Sequence, residues 1–315
     1  MLPTRDGVGP SCVGLPAGQW ANLLDFLCWR FPAIPAPEWT ARMARGDVVD
    51  EHGRPATPDQ AYQPHTRLFY YRSLPTEPVI AAAASVLFED DLLVVADKPH
   101  FLPVTPTGKY LQQTLLVRLR RQLGIDSLTP LHRIDRETAG LVLLAKQPAT
   151  CGRYHTLFAQ RAVRKSYQAI APWHAALQFP LTRESLLVEG DNFMQMRELK
   201  GAADAGPADA DTAASRMDSP RRAPAHTRID LIETHGAWAR YRLHPLTGNR
   251  HQLRVHMAAL GLPILGDRIY PTLQPEGQDD PANPLRLLAE HLSFRDPITG
   301  EERSFSSRLK LGLPD

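Results

Sequence analysis

The chain has 315 residues, is 43% hydrophobic and carries 36 Lys and Arg against 34 Asp and Glu, a formal net charge of +2. That length suits one large domain plus a small one. A mean hydropathy of −0.30 goes with the absence of any apolar run near the ~20 residues of a membrane span. Near-balanced charge is compatible with a nucleic-acid partner but does not argue for one; if RNA binds, the basic residues that meet it must be clustered locally. Cys12, Cys28 and Cys151 are far apart and lack metal-ligand spacing, so neither metal nor cofactor is expected and a reduced setting is the default. Residues 1–6 lack the basic-then-apolar pattern of a secretory leader. The expected localisation is therefore cytoplasmic.

Residues 1–18 are rich in Gly and Pro and are expected to be irregular or disordered. A helix is predicted over 20–31, where Leu23, Leu24, Leu27 and Phe31 recur at helical spacing and Pro32 ends the pattern. A second fits 37–45, with Trp39 and Met43 on one face and Gly46 as its stop. Residues 47–55 read as a strand and turn, and 68–71 as a closing strand. Two short helices followed by strand, turn and strand, over 19–73, resemble the αL RNA-binding module of ribosomal-protein type. The signature is altered here to Val48-Val49-Asp50-Glu51-His52-Gly53, so a structural appendage is the competing reading. Residues 74–84 read as a linker.

The large domain is placed at 85–312. A strand is expected at 92–96. An amphipathic helix follows at 114–123, with Leu115, Leu116, Leu119 and Leu123 on one face, Arg118 and Arg121 on the other, and Gly124 as its cap. A buried strand at 141–145, a helix at 149–161 and a strand at 163–170 follow. Residues 201–225 are dominated by Ala, Asp, Pro, Ser and Gly and are read as a flexible insertion. A strand resumes at 227–233. Residues 238–244 alternate strictly, with Ala239, Tyr241 and Leu243 facing inward. A helix begins near 250, and a last strand covers 287–294. Many strands interrupted by single helices imply an α+β fold with a mixed, mostly antiparallel sheet and flanking helices.

Two clusters carry chemistry. In Leu131-His132-Arg133-Ile134-Asp135-Arg136-Glu137-Thr138-Ala139-Gly140 one carboxylate, Asp135, sits among His132, Arg133 and Arg136 at the mouth of a buried strand. A surface ion-pair loop is the alternative. In Thr247-Gly248-Asn249-Arg250-His251-Gln252-Leu253-Arg254-Val255-His256 a strand ends and a helix begins. There Arg250 and Arg254, four apart, are expected to share a face and to need an anion between them.

These segments resemble the RluA-type pseudouridine synthases. The chain's HRIDRETAGLVLLAK and TGNRHQLRVHMAALGLPILGDRIY are similar to that family's two principal motifs, and LLVVADKP, AVRKSYQAI and LLAEHLSFRDPITGE to three further ones in family order. The likeness runs from about residue 86 to 301, outside the 201–225 insertion. It departs at Asp97, Ala139, Asn249, Leu288 and Asp296.

The resemblance implies a pseudouridine synthase fold and isomerisation of uridine in structured RNA, with ribosomal large-subunit RNA favoured over tRNA. It implies that Asp135 is the nucleophile, that Arg254 pairs with it and holds it ionised, and that Tyr167 stacks on the target base. Arg133 would fill the gap left when the uridine flips out of its stack. Leu253 and Ile264 would hold the apolar edge of the base. His132, Lys98, Arg164, Lys165, Arg250 and His251 are the remaining candidates for substrate or RNA contact. Arg118, Arg120, Arg121, Arg161, Arg221 and Arg222 are candidate phosphate contacts. A monomer is the default. Two other classes compete: a non-catalytic RNA-binding assembly factor, and glycoside hydrolysis by Asp135 and Glu137. Zinc-dependent deamination lacks the Cys and His spacing it needs.

Overall fold

The computed structural model describes residues 2–199, 224–275 and 279–314, which fall into two compact units. The first comprises residues 1–79 and 105–126. It holds strands β1 (Ser11–Gly14), β2 (Val48–Asp50) and β3 (Arg67–Tyr70) in an antiparallel sheet of order β1-β3-β2, with helices α1 (Leu23–Arg30) and α2 (Ala36–Ala44). Asn22 caps α1 by accepting the Asp25 N–H. Phe26, Leu27, Trp39, Met43, Val48 and Leu68 make its core.

Three expectations change here. Residues 1–18 are not irregular throughout, because β1 pairs with β3 and buries Val13 beside Leu15. Four residues flanked by Gly and Pro carry no periodicity of their own; the pairing partner makes the strand. The helix expected in the large domain, α3 (Leu115–Leu123), belongs to this first unit. Its limits are as expected, with Thr114 accepting the Val117 N–H and Gly124 left-handed at φ 68°. Arg120 and Arg121 bond the carbonyls of Gly7 and Asp6. Glu77, read as linker, takes the N–H groups of Leu111, Gln112 and Gln113 at 2.6–2.9 Å.

The second unit comprises residues 80–104 and 127–315. Its strands are β4 (Ser85–Glu89), β5 (Leu93–Lys98), β6 (Thr129–Pro130), β7 (Ala139–Ala145), β8 (Arg164–Pro172), β9 (Leu181–Glu189), β10 (Met196–Leu199), β11 (Ala225–His235), β12 (Trp238–Pro245), β13 (Leu287–Arg295) and β14 (Glu302–Ser306). They form one sheet of order β10-β9-β11-β12-β8-β13-β7-β5-β4, with β14 beside β13 and β6 beside β7. Among these pairings only β13 with β7 is parallel. Helix α4 (Pro148–Ala159) packs through Tyr154 onto Leu141, Leu143 and Phe294. Helix α5 (Gln252–Ala259) packs through Leu253 and Met257 onto Ala169, Ala171, Ile229, Tyr241 and Leu243. Strand β12 alternates as its sequence requires, with Ala239, Tyr241 and Leu243 fully buried. Among the described residues no helix is long and apolar enough to cross a membrane.

The insertion assigned to 201–225 lies outside the described residues, with Arg221 and Arg222, except at its end, where Ala225 is buried and opens β11. Strands β4, β9, β10 and β14 escaped the sequence reading. Strand β9 is half exposed along its length, so it shows no continuous apolar run.

Two family departures are absorbed structurally. The Asp97 carboxylate accepts the Ser307 hydroxyl and the Arg308 N–H, both at 2.7 Å. Asp296 accepts the Tyr154 hydroxyl at 3.0 Å and the Ile298 and Thr299 N–H groups of the following turn.

Gly140 is where the parallel pairing becomes possible. Its φ is +111°, and a Cβ there would lie 2.2 Å from the Ala289 carbonyl oxygen and 2.7 Å from its nitrogen. Gly140→Ala is therefore expected to destabilise the fold by about 3 kcal/mol, through overpacking and an unfavourable φ together. Denaturant unfolding measures it. A loss under about 1 kcal/mol would mean that β13 can move aside.

Candidate active site

Asp135 stands in the loop between β6 and β7, and the turn closes through the Thr138 N–H on the Asp135 carbonyl at 3.1 Å. The loop is held from beneath. Lys98, at the end of β5 and 0% exposed, donates to the carbonyls of Pro99 at 3.0 Å and Arg136 at 3.1 Å. Burial pushes its amine down to about 7, while the charges of Glu137 and Asp135 pull the other way. His132 turns inward, where Nε2 accepts the Leu143 N–H at 3.1 Å and its ring stacks on Phe158. Burial drives that imidazole down to about 3, so it stays neutral. Lys98 and His132, both expected to contact RNA, are thus supports of the loop.

Helix α5 supplies the opposite side. It begins at Gln252, so Arg250 lies in the exposed turn before it and shares no helical face with Arg254. The expected stacked pair does not form, because the capping residue His251 is left-handed at φ 55° and reverses the chain between them. Gln252 fixes that turn by accepting the Thr247 hydroxyl at 2.7 Å and donating to the His226 carbonyl at 3.0 Å and the Thr227 hydroxyl at 2.9 Å. His256, fully buried, bonds Thr227 and Ser185, both at 3.0 Å, and burial lowers it to about 4.

Arg254 is 1% exposed, and its first partner is Asp267 rather than Asp135. Nε and Nη2 bind the two Asp267 oxygens at 2.8 and 2.7 Å. Asp267 is itself held by the N–H groups of Ile269 at 2.8 Å and Tyr270 at 3.0 Å. The remaining Nη1 points to Asp135 Oδ2 at 3.4 Å and to Glu137 Oε2 at 3.6 Å. Burial opposes the charge of Arg254, but the Asp267 bonds outweigh it and raise the guanidinium above its ordinary value. The Asp135 carboxylate keeps 26% of its surface in solvent. It is an anion open to a ligand on one side and facing a fixed cation on the other.

Tyr167, on β8, packs against the cluster that includes Leu253 and Ile264. These three side chains therefore share an apolar wall. Burial and the nearby Asp135 charge raise the Tyr167 phenol, which keeps its proton at neutral pH. Arg133, Arg164 and Arg250 are exposed and make no ion pair among the described residues. Lys165 is partly buried, with its amine lowered by burial. Arg136 is clamped to Asp279 at 2.7 and 2.8 Å.

Asp267 and Tyr270 were missed as site residues. Their signal lay in Gly266-Asp267-Arg268-Ile269-Tyr270, where a carboxylate follows a glycine just after the apolar run 262–265. Gly266 is left-handed, and a Cβ there would meet the Pro284 carbonyl oxygen at 2.3 Å. Among the described residues no cluster of His, Cys, Asp and Glu could hold a metal ion.

Comparison with known proteins fits this arrangement. The family model for RNA pseudouridylate synthase matches residues 92–259. An RNA pseudouridine synthase of Synechocystis sp. is 30% identical over 249 residues, covering 79% of each chain. The dual-specificity RNA pseudouridine synthase RluA of Pasteurella multocida is 30% identical over 74% of this chain and 94% of its own. The solved structure of human RNA pseudouridylate synthase domain containing 1 shares the fold, with a TM-score of 0.55 at 23% identity, over 74% of this chain and 86% of that one. Fold and sequence together define an RNA-modifying isomerase, which converts uridine to pseudouridine within RNA. The chain belongs to the RluA-type RNA pseudouridylate synthase family.

Proposed function

We propose that Asp135 is the nucleophile of this isomerase and that its substrate is structured RNA, ribosomal large-subunit RNA first and tRNA second. One observation carries the reading. A partly exposed carboxylate faces the edge of a buried arginine that Asp267 leaves unoccupied. Such an arrangement aims the carboxylate without mobile parts.

The carboxylate adds to the uridine, at the ribose or at the base, and the bond between N1 and the ribose breaks. The freed uracil turns, C5 bonds to the ribose, the C5 proton leaves to solvent, N1 takes up a proton, and the carboxylate is released. Product and substrate are therefore isomers. Uracil must be out of the RNA stack for this to happen, at a cost of roughly a few kcal/mol. Tyr167, kept as a phenol, offers a flat platform for the flipped base, and Leu253 and Ile264 an apolar edge. Arg133 is free to enter the gap the base leaves, and Arg164 and Arg250 to meet phosphates. The order of α1, α2, β2 and β3 in the first unit supports ribosomal RNA, and the dual-specificity name of the Pasteurella relative is the reason tRNA stays beside it.

The test is tritium release from RNA labelled at uracil C5, with purified protein and RNA from cells lacking the gene. Stoichiometric release at one or a few uridines is expected. No release from either RNA class would leave the assembly-factor reading in its place.

A further inference from the structure

Between Asp135 and the β9–β10 hairpin stand two rings, His251 and Tyr270, hydrogen-bonded to each other and unused by the nucleophile reading. The side chain of His251 is 8% exposed, too enclosed for an RNA contact. Its Nδ1 is 3.0 Å from the Tyr270 hydroxyl, and its Nε2 is 4.0 Å from Asp135 Oδ1. Arg254 addresses the other oxygen, Oδ2. The Tyr270 oxygen accepts the Met196 N–H at 2.7 Å, and Gln195 donates to the Ile269 carbonyl at 2.8 Å, so the hairpin grips this tyrosine. The two rings meet edge to face, 5.7 Å apart at 87°.

A neutral histidine has one ring proton, and which nitrogen carries it depends on the partner at the other nitrogen. Burial lowers His251, against the opposing pull of Asp135. Burial also raises the Tyr270 phenol to about 12. Both groups are therefore neutral at pH 7, and the tyrosine has one O–H to donate. Its oxygen already accepts from Met196, and His251 Nδ1 is the acceptor beside it.

We propose that His251 is a positioning residue for Asp135. Tyr270 donates to Nδ1, the ring proton is thereby held on Nε2, and Nε2–H steers Oδ1 while Arg254 holds Oδ2. The inference rests on Asp135 being the nucleophile. Two donors on two oxygens fix the rotation of the carboxylate, which one guanidinium nitrogen at 3.4 Å cannot do alone. The 4.0 Å separation is longer than a hydrogen bond, and closing of the loop on substrate brings it into range. The left-handed backbone at 251 aims the ring across the turn, and histidine is among the few residue types that tolerate it.

Two substitutions separate steering from simple structural need. Asn at 251 suits the left-handed backbone and keeps a group near Tyr270, but falls short of Asp135. Gln suits the backbone less well, yet reaches Asp135 with an N–H. His251→Asn is expected to melt like wild type, bind RNA equally and lose on the order of ten-fold in kcat. His251→Gln is expected to melt lower and stay within about three-fold of wild-type kcat. A kcat order that follows the melting order would overturn the proposal.

Nitrogen NMR of the His251 ring in the free protein decides the tautomer without any turnover. A protonated Nε2 is expected in wild type, with loss of that preference in Tyr270→Phe. A proton on Nδ1 would overturn the proposal. Should Asp135→Asn retain turnover, the nucleophile reading falls, while the ring tautomer still judges the Tyr270–His251 contact on its own.

Discussion

Asp135→Asn is expected to abolish pseudouridine formation, by more than about a thousand-fold, with the fold and RNA affinity intact. The amide is the same size and still offers an oxygen to Arg254 Nη1, so the loop has no steric reason to move. What disappears is the anion. A neutral amide cannot form and release the bond to uridine that the carboxylate makes. Asp135 retains a quarter of its surface in solvent, so removing its charge leaves no buried cation uncompensated; Arg254 still has Asp267. That asymmetry keeps the stability loss under about 1 kcal/mol. The measurements are tritium release, an RNA dissociation constant and a thermal melt on the same preparation. Residual turnover above about one part in a hundred would remove Asp135 from the nucleophile's role. A collapsed melt would show instead that the loop depends on its charge.

Comparing Asp135 with Lys98 and His132 shows what a linear motif can reveal. The motif places a carboxylate, cations and an apolar strand side by side, and all of them do meet at one loop. It says nothing of which side chains turn inward. Lys98 and His132 read as basic surface, yet Lys98 ends β5, whose residues are all buried, and the His132 ring lies against Phe158. The alternation of β12 and the capped helix α3 were legible because their signals are local. Strands β1, β9 and β10 were not, since their pairing partners create them. The assignment of α3 to the first unit was also illegible, because only tertiary contacts such as that of Arg120 with the Gly7 carbonyl set it. Arg254 illustrates the same limit within the site. Sequence likeness names Asp135 as its partner, whereas packing gives its strongest bonds to a carboxylate thirteen residues further along.

Asp267 accordingly carries the second large expected effect. In Asp267→Ala the Arg254 guanidinium remains buried without its two-pronged partner, and such a loss costs about 3–5 kcal/mol. The Ile269 and Tyr270 N–H groups lose their acceptor too, which loosens the turn holding Tyr270. Because that variant risks unfolding, Asp267→Asn is the informative one. It preserves shape and an oxygen for the two N–H groups, but turns an amide N–H toward a guanidinium that has no acceptor to offer. Arg254 is then expected to swing its free edge toward Asp135 and Glu137 and to trap the nucleophile in a tighter pair. The expected outcome is a fall in kcat of about 100-fold, a stability loss of about 2 kcal/mol, and an RNA dissociation constant within two-fold of wild type. Arg254→Lys serves as the matched control. It keeps a positive charge but cannot span both Asp267 oxygens while reaching Asp135, so its kcat should fall by a similar factor. Near-wild-type turnover in Asp267→Asn would show that Arg254 is held by packing alone, and that the Asp267 pair stabilises the fold without aiming the catalytic carboxylate.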